Sequence, residues 1–112
     1  MNMEISIAQQ PGLSVVAISG DVDLSTSPKV REALLDCIGI GKGVIVDLSA
    51  VSYIDSSGVA SLVEAFQNAK SKAQGFALAA VSDTPMRVLK LARLDQVFVI
   101  YATLDEATAA MA

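Results

Sequence analysis

The chain has 112 residues, of which 53% are apolar and 18% are charged. A chain of this length and composition builds one globular domain and needs neither disulfides nor metal to hold its core. The net charge of −4, with no cluster of Lys or Arg, argues against a nucleic-acid partner. One cysteine, Cys37, and no histidine argue against a zinc or other metal site, and we expect no cofactor.

The N-terminal residues do not resemble a signal peptide, because they carry neither a basic start nor a long apolar run. No apolar stretch has the length needed to cross a membrane. We therefore expect a cytoplasmic protein without a membrane partner.

The first part of the chain predicts a hairpin and a helix. Residues 3–8 alternate apolar and polar side chains, which is typical of a half-exposed strand. A turn at 10–12 leads to a second strand at 14–19, antiparallel to the first. A Ser or Thr at 25–27 can then cap a helix, whose apolar positions recur with helical spacing over 30–38.

The middle of the chain predicts a buried strand followed by a long helix. Residues 44–48 are apolar and mostly β-branched, as in a central strand covered on both faces. A turn from Ser52 to Gly58 follows, and the helix that begins there is expected to end at Gly75. Residues 76–81 predict another buried strand.

The last part predicts a short helix at 85–94 capped by Ser82 or Thr84, a strand at 97–101, and a helix at 104–111 capped by Thr103. The element order is then β-β-α-β-α-β-α-β-α. Strands that are separated by helices pair in parallel through right-handed crossovers, whereas the first hairpin is antiparallel. We expect an α/β fold in a single domain, residues 1–112, with about four helices and a mixed sheet of about five strands.

The first motif that could carry function is the turn Asp55–Gly58. Asp55 is placed to cap the following helix by accepting from the amides of Ser57 or Gly58. Ser56 then lies in the first turn, where outward-pointing amides and the helix dipole favour an anion. A phosphate there would gain roughly 0.3–1 kcal/mol. Taken alone, the four residues are better explained as a helix cap without a function.

The second motif is the acidic pair Asp21 and Asp23, directly after the second strand. Two acids at this spacing could bind a cation, act as acid and base, or shape a docking surface, and they also fit a solvated turn. A hydrolase that used them lacks both a histidine and a nucleophile elbow. The glycine-rich segment 39–43 resembles a phosphate loop, but it follows a helix and precedes a strand, the reverse of the required context.

Both acidic segments follow strands. Ligands and partners of open α/β sheets dock at the carboxyl ends of strands. We therefore expect Asp21, Asp23 and the Asp55–Gly58 turn to lie at one end of the domain.

Four segments also match a known family in order and spacing. They are 18–23, with Asp21 in place of a Glu; 46–58, a signature strand and turn; 87–94; and 98–107. Together they resemble the STAS-domain anti-sigma factor antagonists of bacteria over nearly the whole chain. Two positions depart from the family pattern: Val59-Ala60 stands where Leu-Gly is frequent, and Arg93 stands where Gly is frequent.

The resemblance implies a regulatory switch rather than an enzyme. In that family an anti-sigma factor that is also a serine kinase phosphorylates the serine just after the motif's Asp, which here is Ser56. The unphosphorylated domain binds the anti-sigma factor and frees the sigma factor; phosphorylation breaks the complex and a serine phosphatase reverses it. The residues then expected to contact the partner are Asp21, Asp23, Asp55, Ser57 and Gly58.

Two alternatives stay open. Another role within the same family is a partner subunit of a transporter or a scaffold in stress signalling. Some of those domains lack the modifiable serine, so Ser56 favours the sigma pathway. A small nucleotide hydrolase that used the acidic pair and Ser56 is disfavoured by the missing histidine and phosphate loop.

Overall fold

The computed structural model describes residues 3–112. The elements follow in the order β1 (Met3–Gln10), β2 (Leu13–Val22), α1 (Ser27–Gly39), β3 (Gly43–Ile54), α2 (Ser56–Ser71), β4 (Phe76–Ala79), α3 (Asp83–Leu91), a 3₁₀ turn (Leu94–Gln96), β5 (Val99–Tyr101) and α4 (Leu104–Met111). The predicted order of strands and α-helices is confirmed. The last helix also has its predicted bounds, and the Thr103 side chain accepts a hydrogen bond from the Glu106 amide.

The five strands form one sheet in the order β1-β2-β3-β4-β5. β1 is antiparallel to β2, and every other neighbouring pair is parallel. The hairpin turns at Pro11 and Gly12, where Gly12 takes a φ of +77°, a left-handed conformation that glycine adopts without strain. A mixed sheet of five strands with four α-helices confirms the predicted fold class.

The core lies mainly between the sheet and the helices α1, α2 and α3. Val46 of the sheet, Leu34 of α1 and Leu62 of α2 are all buried in this layer. α4 covers part of the opposite face, where Ala107 packs in one cluster with Ile45 of β3. β3 is therefore buried on both faces, which explains its continuous apolar run.

β3 is longer than predicted. The turn expected at Ser52–Gly58 is confined to Asp55, because the strand continues to Ile54. The register of β3 against β2 shifts twice, and each shift inserts one extra residue into β3. The buried positions consequently change from a spacing of two to a spacing of three, at Leu48, Val51 and Ile54. Strand alternation is lost there, and this is why the pattern predicted a turn.

α2 ends at Ser71, so the predicted stop at Gly75 is wrong. Ala73 takes a φ of +56°, and the Gln74 amide donates to the Ala69 carbonyl at 2.9 Å. These are features of the Schellman motif, in which a left-handed residue closes the helix. That position usually holds glycine, and its occupation by alanine hid the stop.

Two more left-handed residues shorten the predicted elements near the C-terminus. Arg93, with a φ of +61°, separates α3 from the 3₁₀ turn, so the predicted helix at 85–94 is in fact the helix Asp83–Leu91. Ala80, with a φ of +52°, follows the end of β4. The last strand covers 99–101 rather than 97–101.

Ser82 occupies the N-cap position of α3, but neither it nor Thr84 makes a side-chain cap bond. The Ser82 hydroxyl instead donates to the Val51 carbonyl at 2.6 Å and also lies 3.1 Å from the Leu48 carbonyl. Both carbonyls belong to the bulged half of β3, beyond its pairing with β4. Ser82 therefore supplies hydrogen bonds to a stretch that lacks its ladder partner on that side.

Among residues 3–112, no helix combines the length and apolar composition that crossing a bilayer requires.

Candidate phosphorylation and partner-binding site

The carboxyl ends of β2 and β3 lie side by side. Asp21 pairs in register with Tyr53, and the Asp55 amide donates to the Val22 carbonyl at 3.1 Å. Asp23 directly follows Val22 at the end of β2. The two acidic segments thus meet at one end of the sheet, as expected from the topology.

Asp55 caps α2. Its backbone is extended, and its Oδ1 atom accepts from the amides of Ser57 at 2.9 Å and Gly58 at 3.2 Å. The predicted cap is confirmed. Ser56 is the first residue of the helix, and its side chain is exposed to solvent.

The same cap changes the expectation for a phosphate. The amides of Ser57 and Gly58 already bind the Asp55 carboxylate, and the Val59 amide donates to the Asp55 carbonyl at 3.0 Å. A phosphate on Ser56 would compete with Asp55 for these donors and would stand beside its negative charge. The local stabilisation expected from free helix amides therefore does not apply to these three donors.

Gly58 is buried where α2 meets the ends of β2 and β3. A Cβ atom at this position would stand 2.6 Å from Cγ1 of Ile54 and 2.7 Å from Cγ1 of Val22. Both distances are well below van der Waals contact between carbon atoms. The close approach of α2 to the strands therefore requires glycine here, and it holds the Asp55–Ser56 turn against the sheet.

Ser57 is half-buried, and its carbonyl takes part in the contact between α1 and α2. Its carbonyl accepts from Ser61 Oγ at 3.1 Å, and the same hydroxyl lies 3.3 Å from the Ser27 carbonyl of α1. Ser56 is therefore the more accessible of the two neighbouring serines.

Asp23 organises the loop before α1. Its Oδ1 atom accepts from the Ser25 amide at 2.9 Å, from Ser25 Oγ at 2.7 Å and from the Thr26 amide at 3.1 Å. The bond from the Ser25 hydroxyl, aided by the Thr26 and Ser25 amides, lowers the pKa of Asp23 against the opposing effect of desolvation. The Asp23 carboxylate thus has a structural role.

Thr26 is the N-cap residue of α1 but makes no side-chain cap bond. Its hydroxyl donates to the Asp21 carbonyl at 2.9 Å and accepts from the Asp23 amide at 2.9 Å. The first helical amide, that of Ser27, donates to the Asp23 carbonyl at 2.8 Å. The predicted side-chain cap at 25–27 is therefore wrong, because the hydroxyl at the N-cap is used in the loop.

Two exposed apolar residues flank this end of the sheet and were not predicted as site residues. Leu24 is 76% exposed in the loop after β2, and Tyr53 is 47% exposed next to Asp21. A large apolar residue between polar neighbours in a predicted loop, as Leu24 is, was the available sequence signal. Tyr53 could not be assigned to one face of the sheet from the sequence, because the β3 bulges interrupt the strand alternation.

The sequence stretches that form this end of the sheet contain acidic residues but no basic ones. Residues 1–28 and 43–69 contain no Lys or Arg, and the acids Asp21, Asp23 and Asp55 fall within these stretches. Among residues 3–112, no three Asp, Glu, Cys or His side chains are grouped as metal ligands. The arrangement therefore combines acidic and apolar side chains around an exposed serine.

Known proteins share both the sequence pattern and the fold. The STAS domain family model matches residues 4–107. The anti-sigma-B factor antagonist of Listeria monocytogenes serovar 1/2a is 30% identical over 103 residues, covering 89% of this chain and 90% of that protein.

Solved structures give the same picture. An anti-sigma factor antagonist from Mycobacterium paratuberculosis is 30% identical and superposes with a TM-score of 0.89, covering 98% of this chain and 94% of that one. The phosphorylated form of the Bacillus cell fate determinant SpoIIAA has the same fold at 20% identity, with a TM-score of 0.78 and coverage of 97% and 100%.

Proposed function

This chain belongs to the STAS domain family, and we propose that it is an anti-sigma factor antagonist controlled by phosphorylation of Ser56. The unphosphorylated protein binds a serine-kinase anti-sigma factor and releases the sigma factor. Phosphorylation of Ser56 ends that complex, and a serine phosphatase restores it. In this proposal the chain is a single STAS domain over residues 1–112, acts in the cytoplasm, and is a kinase substrate rather than an enzyme.

One observation carries the proposal: Ser56 is exposed as the first residue of α2, directly after a cap that fixes the turn. The Asp55 carboxylate and the close packing at Gly58 hold this turn at the ends of two neighbouring strands. A kinase can reach the Ser56 hydroxyl without opening the fold. A partner that covers the same end of the sheet would also cover Ser56.

The proposed partner surface includes the predicted residues and two more. Asp21 and Asp55 supply acidic side chains, while Leu24 and Tyr53 supply exposed apolar area. Asp23, Ser57 and Gly58 shape the surface through the loop, the cap and the close packing described above. Aromatic anchors such as tyrosine are frequent among the residues that dominate binding energy at interfaces.

The phosphate would weaken binding through its charge. A phosphoserine adds about −1.5 to −2 charges at neutral pH. Burying the phosphate against a partner strips it of its hydration water. The first amides of α2 cannot replace that water, because they are already hydrogen-bonded to Asp55. One like-charge pair about 8 Å apart, at an effective dielectric near 20, costs roughly 2 kcal/mol. Two units of charge then cost roughly 4 kcal/mol, about a thousandfold in affinity before screening by salt.

Mapping the modified residue tests the first half of the proposal. The purified chain is incubated with its anti-sigma factor kinase and ATP, and the product is identified by mass spectrometry. We expect a single phosphate on Ser56, no phosphate on Ser56→Ala, and normal modification of Ser57→Ala, the matched control. A phosphate on Ser57, or full modification of Ser56→Ala, would contradict the assignment.

Binding measurements test the switch itself. By calorimetry against the same anti-sigma factor, Ser56→Ala should bind as the unmodified protein does, and Ser56→Asp should bind at least tenfold more weakly. Ser56→Asn has the shape of the aspartate without its charge and should retain affinity. Equal weakening by Asn and Asp would show that shape rather than charge is responsible.

A further inference from the structure

The sheet has two edges that differ in length. β5 contributes three residues at one edge, whereas β1 contributes eight at the other. An edge strand presents unpaired amides and carbonyls to the solvent, and short edges are one way in which proteins avoid pairing with other chains. β5 has this protection and β1 does not.

β1 also lacks most of the other devices that block edge pairing. It contains no Lys, Arg or Pro, and Glu4 is its one charged residue. Its register against β2 runs without a shift from Met3 to Gln10, in contrast to the two shifts between β2 and β3. A regular, nearly uncharged strand of this length is a template for a further strand.

The outward-facing backbone groups follow from the hairpin. Gln10 and Leu13 flank the two-residue turn and are paired with each other. Residues that close such a turn are hydrogen-bonded to each other, and bonded and non-bonded pairs alternate along an antiparallel ladder. We infer that the amides and carbonyls of Ile5 and Ile7, together with those of Met3 and Gln9, point away from β2.

We propose that the partner of this edge is a second copy of the chain, paired antiparallel through β1 about a two-fold axis at Ser6. This register sets Ile5 of each copy opposite Ile7 of the other. Both isoleucines pair with residues of the helix-covered face, Ile18 and Val16, so they lie on one side of the sheet. Ile7 is 44% exposed in the single chain and gains cover from this contact.

Charge favours this arrangement over the parallel one. In the antiparallel register the two Glu4 side chains are separated by four residues along the strand, or about 14 Å. That exceeds the Debye length of about 8 Å at physiological salt. A parallel, in-register pair would bring them to about 5 Å, the spacing of neighbouring strands.

The size of the contact sets its strength. Eight residues from each copy form a smaller interface than the 20–30 residues a side that are typical of stable complexes. We therefore expect a reversible dimer that appears as concentration rises from about 10 µM to 1 mM. This inference does not depend on the proposed function.

Sedimentation velocity over that concentration range tests the proposal. The unmodified chain should shift from monomer to dimer. Ile7→Lys should stay monomeric, because each lysine would replace the apolar contact with Ile5 of the other copy, and the two like charges would be only two residues, or about 7 Å, apart along the strand. Gln67→Lys, the same charge change on an exposed position of α2, should dimerise as the unmodified chain does. A chain that stays monomeric at 1 mM, or an Ile7→Lys variant that dimerises equally, would overturn the proposal.

Hydrogen exchange on the unmodified chain tests the contact without a substitution. The amides of Ile5 and Ile7 should become at least tenfold better protected as the dimer forms. Dimerisation that leaves these two amides unprotected would overturn the pairing, since a contact through another surface would not cover them.

Discussion

At the scale of single residues, the site depends on side chains with structural roles. The Asp55 side chain binds two amides, the Asp23 side chain holds a loop, and Gly58 allows close packing. These structural roles are sufficient to explain the acid or the glycine at each position, and no contact with a partner is needed to account for them. Ser56 differs from them because its side chain is exposed.

Gly58→Ala should destabilise the fold by about 1–3 kcal/mol, because its methyl group overlaps two buried side chains that cannot move freely. Urea unfolding followed by circular dichroism measures the change. Gly39→Ala is the matched control: a Cβ there meets nothing within 4 Å, and the substitution should be neutral or stabilise by up to about 1 kcal/mol. Equal effects at both positions would contradict the packing argument.

The depressed pKa of Asp23 predicts a pH dependence. Because its carboxylate is hydrogen-bonded in the folded state, its pKa is lower there than in the unfolded chain. The resulting stabilisation is present above the unfolded pKa, about 3.9, and is lost as pH falls through the folded pKa. When urea unfolding is measured from pH 6 to pH 2.5, the free energy of unfolding of Asp23→Asn should therefore fall less steeply than that of the unmodified chain. Identical pH profiles would contradict this role of Asp23.

At the scale of elements, helix ends carry strain where glycine is absent. Ala73 and Arg93 are both left-handed, at φ values of +56° and +61°, although a side chain is disfavoured in that region. At Arg93, as at Ala73, glycine would adopt the same conformation without strain. Each position therefore stores energy that a glycine would release.

Ala73→Gly should stabilise the protein by up to about 1 kcal/mol. Relief of the left-handed strain, about 1–2 kcal/mol, outweighs the extra backbone entropy of glycine, about 0.5–1 kcal/mol. Thermal and urea unfolding measure the gain. Lys72→Gly, at a neighbouring φ of −101°, has no such strain to relieve and should lose about 0.5–1 kcal/mol. A loss at position 73 as large as that at 72 would rule out the strain.

Local patterns predicted the elements well and their ends less well. One strong signal was sufficient to predict each of three elements: alternation for β1, the apolar run for β3 and the Thr103 cap for α4. The signals failed where three-dimensional pairing decided the outcome: the β3 bulges need the register with β2, and Ala73 reads as an ordinary helical residue. For the site, the Asp55 cap was predictable from sequence. The exposure of Tyr53 was not, because it depends on the β3 bulges.

At the scale of the whole molecule, exposed apolar residues lie at opposite ends of β3. Leu24 and Tyr53 belong to the end that carries Ser56, whereas Ile40, 60% exposed, lies in the turn before β3 begins. Under the proposed function, only the first end meets the anti-sigma factor. Ile40, at the other end, is therefore an exposed apolar control position within the same chain.

Leu24→Ala and Tyr53→Ala should each weaken binding to the anti-sigma factor by roughly 5- to 30-fold, the effect of losing about 1–2 kcal/mol of apolar contact. Ile40→Ala should change affinity less than twofold. Calorimetry gives the affinities, and urea unfolding checks that the variants fold. Weakening by Ile40→Ala as strong as by Tyr53→Ala would place the contact elsewhere.

The two bulges of β3 also limit how the chain can change in length. Deleting Ser49 would straighten the first bulge and change the spacing of the Leu48 and Val51 carbonyls, so that they would no longer both lie against the Ser82 hydroxyl. Insertions in the exposed turn at Ile40–Gly41 would disturb no pairing of this kind. Insertions and deletions during evolution should therefore accumulate in that turn and avoid the second half of β3.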